Sequence, residues 1–377
     1  MIGIDYTPAY EQGGGIGRYV RELVAALALL DSQSPYRLFV AGARRHQLPP
    51  PPGENFTWKP TPLTPRWLAR LWHRARLPIP IEVITGKVQL FHATDFVLPP
   101  TFPQTRTLLT VHDLSFVCVP ETASPSLKAY LDAVVPRSVR RADHILADSQ
   151  ATKDDLITFY NTPPEKISVL LSGVDARFQP VVDSQVLMTI RSRYRIGSAP
   201  YIFSIGTVQP RKNYGRLIQA LAQLRQAGSD IHLVIAGGHG WLEDPIYDSI
   251  RQHDMESFVH FIGFADEADL PGLYSAAACF AFPSLYEGFG LPVLEAMACG
   301  TPVVTSNVSS LPEVAGDAAL MVDPYDVEAL ADSLHRLIYD ETLRQRLISL
   351  GRQRVRRFTW QAAAAQLQQT YTRLLEE

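Results

Sequence analysis

Short runs of apolar, β-branched and aromatic residues alternate with longer amphipathic stretches along almost the whole chain. Such alternation predicts repeated strand and helix units that build parallel sheets. The strands fall into two series, because a polar, irregular stretch interrupts the pattern at roughly 175–198. The first series comprises Ile2–Asp5, Arg37–Val40, Leu90–His92, Thr107–His112, His144–Ala147 and Ile167–Leu170. The second comprises Tyr201–Ile205, His232–Ala236, Val259–Ile262, Cys279–Phe282 and Pro302–Thr305.

The pattern between the strands predicts helices, among them Gly17–Leu30 and Thr152–Tyr160. Prolines clustered from Leu48 to Pro65 predict a loop, because proline can neither donate to a sheet nor continue a helix. The chain has 377 residues, which is past the size at which a single core stops growing. We therefore predict an α/β protein with a first domain in residues 1–180 and a second in residues 195–357.

Composition narrows the class of protein. Hydrophobic residues make up 46% of the chain and charged residues 19%, with a formal net charge of -3, so nothing in it indicates a nucleic-acid partner. Three cysteines, Cys118, Cys279 and Cys299, are too few and too far apart for a disulfide framework or paired zinc ligands. No stretch resembles a membrane span or a signal peptide. We expect a soluble cytoplasmic protein, at most peripheral to a membrane.

Ligand-binding and catalytic residues are expected directly after the strands, because helix N-termini there present unpaired amides to anions. The most informative segment is Glu287–Glu295, which follows the strand Cys279–Phe282. Its two glycines let the backbone approach a ligand, and Pro292 suits the first position of a helix. Glu295 would then lie in the first helical turn, and both glutamates could face one cleft. The alternative is that Glu295 only complements the helix dipole and Glu287 is a solvated loop residue.

A basic pair, Arg211 and Lys212, follows the strand Tyr201–Ile205, and Asn213 is a candidate N-cap for the next helix. If a phosphate group departs at this position, negative charge builds on it, and fixed cations there stabilise the transition state more than the ground state. The alternative is a solvated basic pair without a ligand.

Two features of the first domain are also candidates. Gly13–Gly15 precede a predicted helix whose N-terminus would favour a diphosphate, although a simple turn explains the glycines as well. His112 ends a predicted strand, where its side chain would point into a cleft, and a structural histidine is the alternative. His92 and Asp95 share that geometry but match no motif, so we leave them out of the predicted site.

These motifs, in this order, resemble the family-4 retaining glycosyltransferases. Glu287–Glu295 resembles the family's Glu-x7-Glu motif, Gly206–Asn213 its phosphate-binding loop and Gly13–Gly17 its N-terminal glycine loop. Further matching landmarks are Val111–Asp113, Ser172–Asp175 and Phe358–Trp360, so the resemblance covers essentially the full length. It implies the GT-B fold, with two facing Rossmann-like domains, parallel sheets and a cleft between them. It also implies that residues 358–377 form a C-terminal helix packing back toward the first domain.

The resemblance implies roles for individual residues. Arg211 and Lys212 would stabilise the leaving diphosphate, Glu287 would hydrogen-bond the donor sugar and His112 would lie beside it. Glu295 would hold the ribose diol. Backbone contacts to the donor would come from Gly14, Gly15, Gly206, Gly288, Phe289, Gly290 and Leu291.

In that family the donor sugar keeps its anomeric configuration, and the favoured proposal is front-side attack without an enzymic nucleophile. The sequence contains no Asp-x-Asp pair to hold a divalent ion, so we expect no essential metal and no cofactor. The donor would be a GDP- or UDP-linked sugar. The Val111–Asp113 and Gln209–Asn213 neighbourhoods look most like the mannosyltransferase-type branch, which uses GDP-mannose. The acceptor would be a saccharide or a lipid-linked hydroxyl.

Two other classes of protein remain as alternatives. A nucleotide-sugar 2-epimerase also has two facing Rossmann-like domains, but it needs acid and base residues for elimination, and the Glu-x7-Glu loop beside Arg211 and Lys212 argues against it. A non-catalytic sugar-nucleotide or scaffold protein would not need candidate residues at every landmark.

A basic and aromatic segment in residues 58–76 predicts weak peripheral association with a membrane. If Pro65–Arg76 is helical, Arg66, Arg70 and Arg74 share one face, suited to an anionic surface. The alternative is a solvated helix whose tryptophans, Trp58, Trp67 and Trp72, fill the domain core.

Overall fold

The computed structural model describes residues 1–376, which form two compact units. Unit 1 takes Met1–Leu114, Ala129–Gly173 and the chain from Thr359. Unit 2 takes Ser115–Lys128 and Val174–Phe358. Each unit is built on one parallel sheet, which confirms the predicted α/β class.

The sheet of unit 1 has seven strands, in chain order β1 to β7. They are β1 Ile2–Asp5, β2 Tyr36–Ala41, β3 Phe56–Thr61, β4 Leu90–Ala93, β5 Arg106–Val111, β6 His144–Ala147 and β7 Ile167–Val169. Their order in the sheet is β3-β2-β1-β4-β5-β6-β7. From β1 the chain adds β2 and β3 on one side of the sheet and then returns to add β4 to β7 on the other side. The topological switch point therefore lies at the carboxyl ends of the neighbouring strands β1 and β4.

The sheet of unit 2 repeats this plan with six strands. They are β8 Tyr201–Ile205, β9 His232–Ala236, β10 Val259–Gly263, β11 Cys279–Phe282, β12 Val303–Ser306 and β13 Leu320–Val322. The order β10-β9-β8-β11-β12-β13 is that of a Rossmann fold, with its switch point between β8 and β11.

Helices connect the strands in both units. In chain order they are α1 Thr7–Glu11, α2 Gly15–Leu30, α3 Pro65–Ala69, α4 Glu82–Thr85, α5 Ser115–Cys118, α6 Pro125–Arg141, α7 Gln150–Tyr160, α8 Ser184–Arg193, α9 Tyr214–Gln226, α10 Asp244–Gln252, α11 Leu270–Ser275, α12 Leu291–Ala298, α13 Leu311–Ala315, α14 Val327–Tyr339, α15 Glu341–Val355 and α16 Trp360–Glu376. Short 3-10 turns occupy Arg45–Gln47, Pro120–Thr122, Pro164–Lys166 and Pro210–Lys212, and a π-helical turn occupies Arg70–Arg74.

The apolar stripes of the helices account for the cores. In α2, Tyr19, Leu23 and Leu27 recur every fourth position and are all buried. They lie in a helix that packs against α16, where Leu367 and Tyr371 are buried with the same spacing. Burying one such side chain stabilises the fold by about 1.5–3 kcal/mol, so the pairing of α2 with α16 fixes the C-terminal helix to unit 1.

Every predicted strand is confirmed within one or two residues, but the pattern missed two edge strands, β3 and β13. The predicted loop from Leu48 to Pro65 is wrong over β3, where Pro60 pairs opposite Val40 of β2. An edge strand has one unpaired side, so it tolerates a residue that cannot donate there. At three residues, β13 is too short to show a period.

The basic and aromatic segment is helical as far as Arg74, through α3 and the π-helical turn. Trp58 is buried in β3, with its indole N–H donating to the Pro49 carbonyl, whereas Trp67 is 54% exposed. Arg66, Arg70 and Arg74 are exposed. Within residues 1–376, none of the helices combines the length and the apolar character of a membrane span.

Candidate functional site

The strongest concentration of predicted residues lies at the switch point of unit 2. The loop after β8 carries Arg211 and Lys212, and the loop after the neighbouring strand β11 carries Glu287. The Leu285 amide donates to the Arg211 carbonyl at 2.8 Å, which ties the two loops together. Ligands of such sheets bind at this position, where two adjacent strands send their chains to opposite sides.

Glu287 joins both cations of the basic pair. Arg211 donates through Nη1 to the Tyr286 carbonyl and to Glu287 Oε2, each at 2.8 Å, and Lys212 Nζ donates to Glu287 Oε1 at 2.6 Å. Lys212 Nζ also lies 4.6 Å from the ring centre of Phe282. These contacts exclude the solvated basic pair and the solvated Glu287 that the sequence left open, because the three side chains are only 10–17% exposed.

The charge state of this cluster follows from its burial and its cations. Burial alone would raise the pKa of Glu287, but Arg211 and Lys212 overcome that effect and lower the pKa to about 2. Glu287 is therefore ionised at neutral pH. Two cations and one carboxylate leave one net positive charge at the switch point, which suits a phosphate group.

Gly206 makes room for the lysine stem. Its φ is +144°, a backbone conformation that residues other than glycine rarely adopt, and a Cβ there would lie 2.8 Å from Lys212 Cε. The Tyr214 hydroxyl donates to the Gly206 carbonyl at 3.1 Å. The backbone conformation thus favours glycine at this position, and a side chain there would also displace the Lys212 stem.

Asn213 does not cap α9 with its side chain, contrary to the sequence-based expectation. It occupies the N-cap position in the left-handed region, and its amide instead donates to the carbonyls of Pro283 and Pro324 at 2.9 and 2.7 Å. Its oxygen accepts from Arg216 at 2.9 Å. The side chain thus ties the start of α9 to the loops after β11 and β13, whose carbonyls need donors.

The glycine loop after Glu287 leads directly into α12. Gly290 is the N-cap residue with φ +115°, and a Cβ there would lie 2.9 Å from Leu311 Cδ2. The Ser310 hydroxyl holds the loop by donating to the carbonyls of Glu287 and Phe289. Gly288 and Leu291 flank Phe289 and Gly290. Because the N-cap residue is a glycine, no side chain caps the amides at the start of α12.

Two details of the predicted helix start need correction. The helix begins at Leu291, so Pro292 is its second residue, and Glu295 lies at the start of the second turn instead of in the first. Proline fits there because the amides of the first turn have no partner within the helix. Glu295 is 2% exposed and its Oε2 accepts from the Tyr274 hydroxyl at 2.8 Å. The two glutamates therefore have different partners.

In unit 1, Gly14 and Gly15 stand at the N-terminus of α2, which begins two residues earlier than predicted. Both are exposed, and nothing lies within 4 Å of where their Cβ atoms would be. Gly14 is the N-cap residue of this helix and has no side chain that could accept from the helix amides. The amides of this helix end are thus open to an anion.

His112 follows β5 and is buried. Its Nδ1 lies 2.8 Å from Asp148 Oδ2 and its Nε2 lies 2.9 Å from the Thr94 carbonyl oxygen. His92, excluded from the predicted site, is a core residue whose ring nitrogens contact the hydroxyls of Tyr371 and Thr110. Asp95 accepts from Gln12 at 3.2 Å.

The sequence did not point to several residues that build these sites. Asp148 and Thr94 hold His112, Ser310 holds the glycine loop and Tyr274 holds Glu295. Asp148 follows β6 and Thr94 follows β4, so the rule that chemistry follows the strands could have found both. Ser310 lies in the loop after β12 and was also accessible to that rule, whereas Tyr274 lies within α11 and was not. Within residues 1–376 no three His, Cys, Asp or Glu side chains are placed to hold a metal.

Two parallel sheets of Rossmann order, with paired cations and a glycine loop at one switch point, are typical of glycosyltransferases with the GT-B fold. Comparisons with known proteins agree. The family profile "Glycosyltransferase Family 4" matches residues 13–178, and "Glycosyl transferases group 1" matches residues 189–354.

The chain is 32% identical over 371 residues to O-antigen chain mannosyltransferase B of Escherichia coli, covering 95% of both chains. It is 31% identical over 242 residues to the serotype-specific mannosyltransferase WbdA of Escherichia coli, covering 63% of this chain and 29% of that one. A solved structure, sucrose-phosphate synthase from Thermosynechococcus elongatus, superposes with a TM-score of 0.78 at 23% identity, covering 100% and 99% of the two chains. The chain belongs to the family-4 glycosyltransferases, and the predicted resemblance, including that to its mannosyltransferases, is confirmed.

Proposed function

We propose that the protein is a retaining hexosyltransferase that uses GDP-mannose as donor, without a metal ion, and a saccharide or lipid-linked hydroxyl as acceptor. The observation that carries this proposal is the pairing of Arg211 and Lys212 on Glu287 at the switch point of unit 2. The choice of mannose is supported by the mannosyltransferases that the chain resembles.

The cluster suits the leaving group of this reaction. As the bond from the sugar C1 to the diphosphate oxygen breaks, negative charge builds on that oxygen, and the two fixed cations stabilise it. The acceptor oxygen bonds to C1 on the same face, and its proton passes to the departing phosphate oxygen. No enzymic nucleophile is needed, and the configuration at C1 is kept.

Glu287 has a positioning part in this scheme. Its low pKa keeps it ionised at neutral pH, so it does not serve as a proton donor. It orients Arg211 and Lys212, and it reaches the donor sugar with its remaining acceptor capacity. The backbone amides of Gly288, Phe289, Gly290 and Leu291 bind sugar and phosphate, and Glu295 holds the ribose diol. Gly206 leaves space for the Lys212 side chain. In unit 1, Gly14 and Gly15 contribute further amides and His112 lies beside the sugar.

Thermal unfolding with added nucleotides tests the donor assignment, because a ligand of the native state raises stability by mass action. We expect GDP and GDP-mannose to raise the melting temperature more than UDP, ADP and their sugar conjugates. Saturation at 100 times Kd adds about 2.7 kcal/mol. A larger rise with UDP would overturn the choice of guanosine, and no rise with any nucleotide would overturn the proposal.

We also propose weak membrane association through residues 58–76 of unit 1. The exposed Trp67 carries the Arg70 guanidinium 4.9 Å from its ring centre. Exposed apolar side chains close to it in sequence are Leu63, Leu77 and Ile79. Basic and apolar groups exposed together suit an anionic lipid surface, where each cation contributes about 1 kcal/mol.

The epimerase alternative is not favoured, since both halves of the chain match glycosyltransferase profiles. It remains distinguishable by experiment, because an epimerase converts the donor alone into a new sugar nucleotide.

A further inference from the structure

Both ring nitrogens of His112 are engaged by hydrogen-bond acceptors. One partner is a carboxylate oxygen of Asp148 and the other is the backbone carbonyl of Thr94. A carbonyl oxygen cannot donate, so Nε2 carries a proton. If Nδ1 were bare, its lone pair would face the Asp148 carboxylate. Because imidazole is the stronger base of the two, the proton between them resides on the ring. This geometry favours a doubly protonated imidazolium for His112.

The same segment also fixes the backbone of His112. The Thr152 hydroxyl donates to the His112 carbonyl at 3.2 Å. Thr152 belongs to the first turn of α7, whose N-cap Ser149 accepts from the Thr152 amide. Asp148 directly precedes that cap. The start of α7 thus holds the ring and the main chain of His112 together.

Aromatic rings enclose the imidazole. Tyr19 of α2 meets it edge-on with ring centres 5.1 Å apart, and Phe96 does so at 5.5 Å. With two hydrogen bonds and two ring contacts, the ring has one orientation. In this arrangement neither nitrogen is available to take a proton from a ligand.

The charges around the ring favour its cationic form. Burial alone would lower the pKa of His112, but the carboxylates of Asp148 and Asp95 overcome it and raise the pKa to about 9. His92 on β4 stays neutral, because burial and the nearby His112 lower its pKa to about 3. Burial raises the pKa of Tyr19, so that hydroxyl adds no charge. The pKa of Asp148 is raised by burial above all and also by Asp113 and Asp95, against the lowering effect of His112.

Asp148 carries a cost that a structural residue would avoid. Its Oδ1 is buried and has no hydrogen-bond partner among residues 1–376. A buried acceptor without a partner loses its hydrogen bonds to water and destabilises the fold. Such a group calls for an explanation, and a role in the reaction is one that stability does not supply.

We propose that Asp148 is a positioning residue that keeps His112 as a fixed cation for sugar transfer and prevents it from acting as a proton acceptor. The proposal rests on the proposed function of the chain. It assigns the ionisation of His112 to Asp148 and its placement to the start of α7.

The ionisation can be measured without any turnover. In protein labelled with 15N-histidine, the His112 resonances are assigned from their loss in a His112→Asn variant. We expect both ring nitrogens of His112 to be protonated from about pH 6 to about pH 8. A neutral His112 ring at about pH 7.5 would overturn the proposal.

An Asp148→Asn variant tests the link to the reaction. Without the carboxylate, the Asp148 contributions that raise the pKa of His112 are lost while burial still lowers it, so we expect the pKa to fall and the ring to be largely neutral at about pH 7.5. Transfer at about pH 7.5 should then fall about tenfold or more. Activity should rise again as the pH is lowered toward 6, because protonation restores the cation, whereas the wild type shows no such rise.

Asp154→Asn is the matched control, since Asp154 is exposed on the same helix. It should change neither the pKa of His112 nor the pH profile. Thr152→Val should leave the pKa unchanged, which separates ring ionisation from a general disturbance of α7. An Asp148→Asn variant that keeps the pKa of His112, or loses transfer without recovery at low pH, contradicts the proposal. If the wild type transfers no sugar, the proposed function fails, and the His112 ionisation is still decided by the resonances.

Discussion

At the residue scale, candidate site residues could be predicted where charged residues lie in the loop after a strand. Arg211, Lys212 and Glu287 were accessible in this way, and the structure places all three in one hydrogen-bonded cluster. Residues that act through others were harder to find. Asn213 is of a residue type that often caps helices, but its side-chain amide instead donates hydrogen bonds to two loops. Side-chain partners depend on which strands become neighbours, and a single sequence does not specify that directly.

Replacing Arg211 or Lys212 by Ala should lower turnover about a hundredfold or more, equivalent to about 2.7–4 kcal/mol. Binding of the nucleoside monophosphate should change less, because the missing charge matters most as the diphosphate departs. Steady-state kinetics and calorimetry on the same variants measure the two effects. Arg346→Ala, at an exposed position of α15, is the control. Equal loss of turnover and monophosphate binding would indicate simple ground-state binding.

Glu295→Gln tests the assignment of the ribose diol. The amide oxygen of Gln can still accept from Tyr274, so the thermal stability should change little. Loss of the charge-assisted hydrogen bond should weaken nucleotide binding about tenfold, or about 1.4 kcal/mol. Titration calorimetry gives the affinity directly. The assignment fails if the variant binds the nucleotide as tightly as the wild type does.

At the element scale, periodicity was sufficient for strands that are buried on both faces and for long amphipathic helices. It failed at the edges of the sheets, where β3 contains Pro60 and β13 has three residues. Helix starts were displaced by one or two residues at α2 and α12. Such starts depend on backbone conformation at Gly14 and Gly290, and glycine permits several conformations.

The segment from α3 to Arg74 supports a prediction about membranes. Cosedimentation with anionic vesicles should exceed that with neutral ones and should decrease as salt is added, because exposed cations are screened. Changing Arg66, Arg70 and Arg74 together to Gln should abolish the preference. The exposed arginines Arg336, Arg346 and Arg357 of unit 2, changed in the same way, serve as control. If the variant without Arg66, Arg70 and Arg74 still prefers anionic vesicles, this surface does not mediate the membrane association.

At the scale of the whole molecule, the alternation of strands and helices was enough to predict two parallel-sheet domains, and both sheets share the arrangement of a Rossmann fold. Strand order was not readable from the pattern, because crossover connections leave no mark in local sequence. The order matters for function, since it brings the loop after β8 beside the loop after β11. The motifs and their order made the family recognisable before the sheets were known.

Transfer should survive removal of divalent ions, because Arg211 and Lys212 already supply the positive charge that a metal would provide to the diphosphate. The measurement is the rate of transfer with and without EDTA. Complete loss with EDTA, restored by manganese or magnesium, would show that a metal ion is required.

The most direct test of the central claim follows GDP-mannose labelled with 13C at C1 by real-time NMR, in the presence of the protein and without an acceptor. We expect slow release of GDP, with mannose appearing first as the α-anomer, because water attacks the face that the leaving group vacates. The double variant with Arg211 and Lys212 changed to Ala should release neither. Mannose appearing first as the β-anomer would contradict retention, and a new sugar nucleotide would show that the protein is an epimerase instead of a transferase.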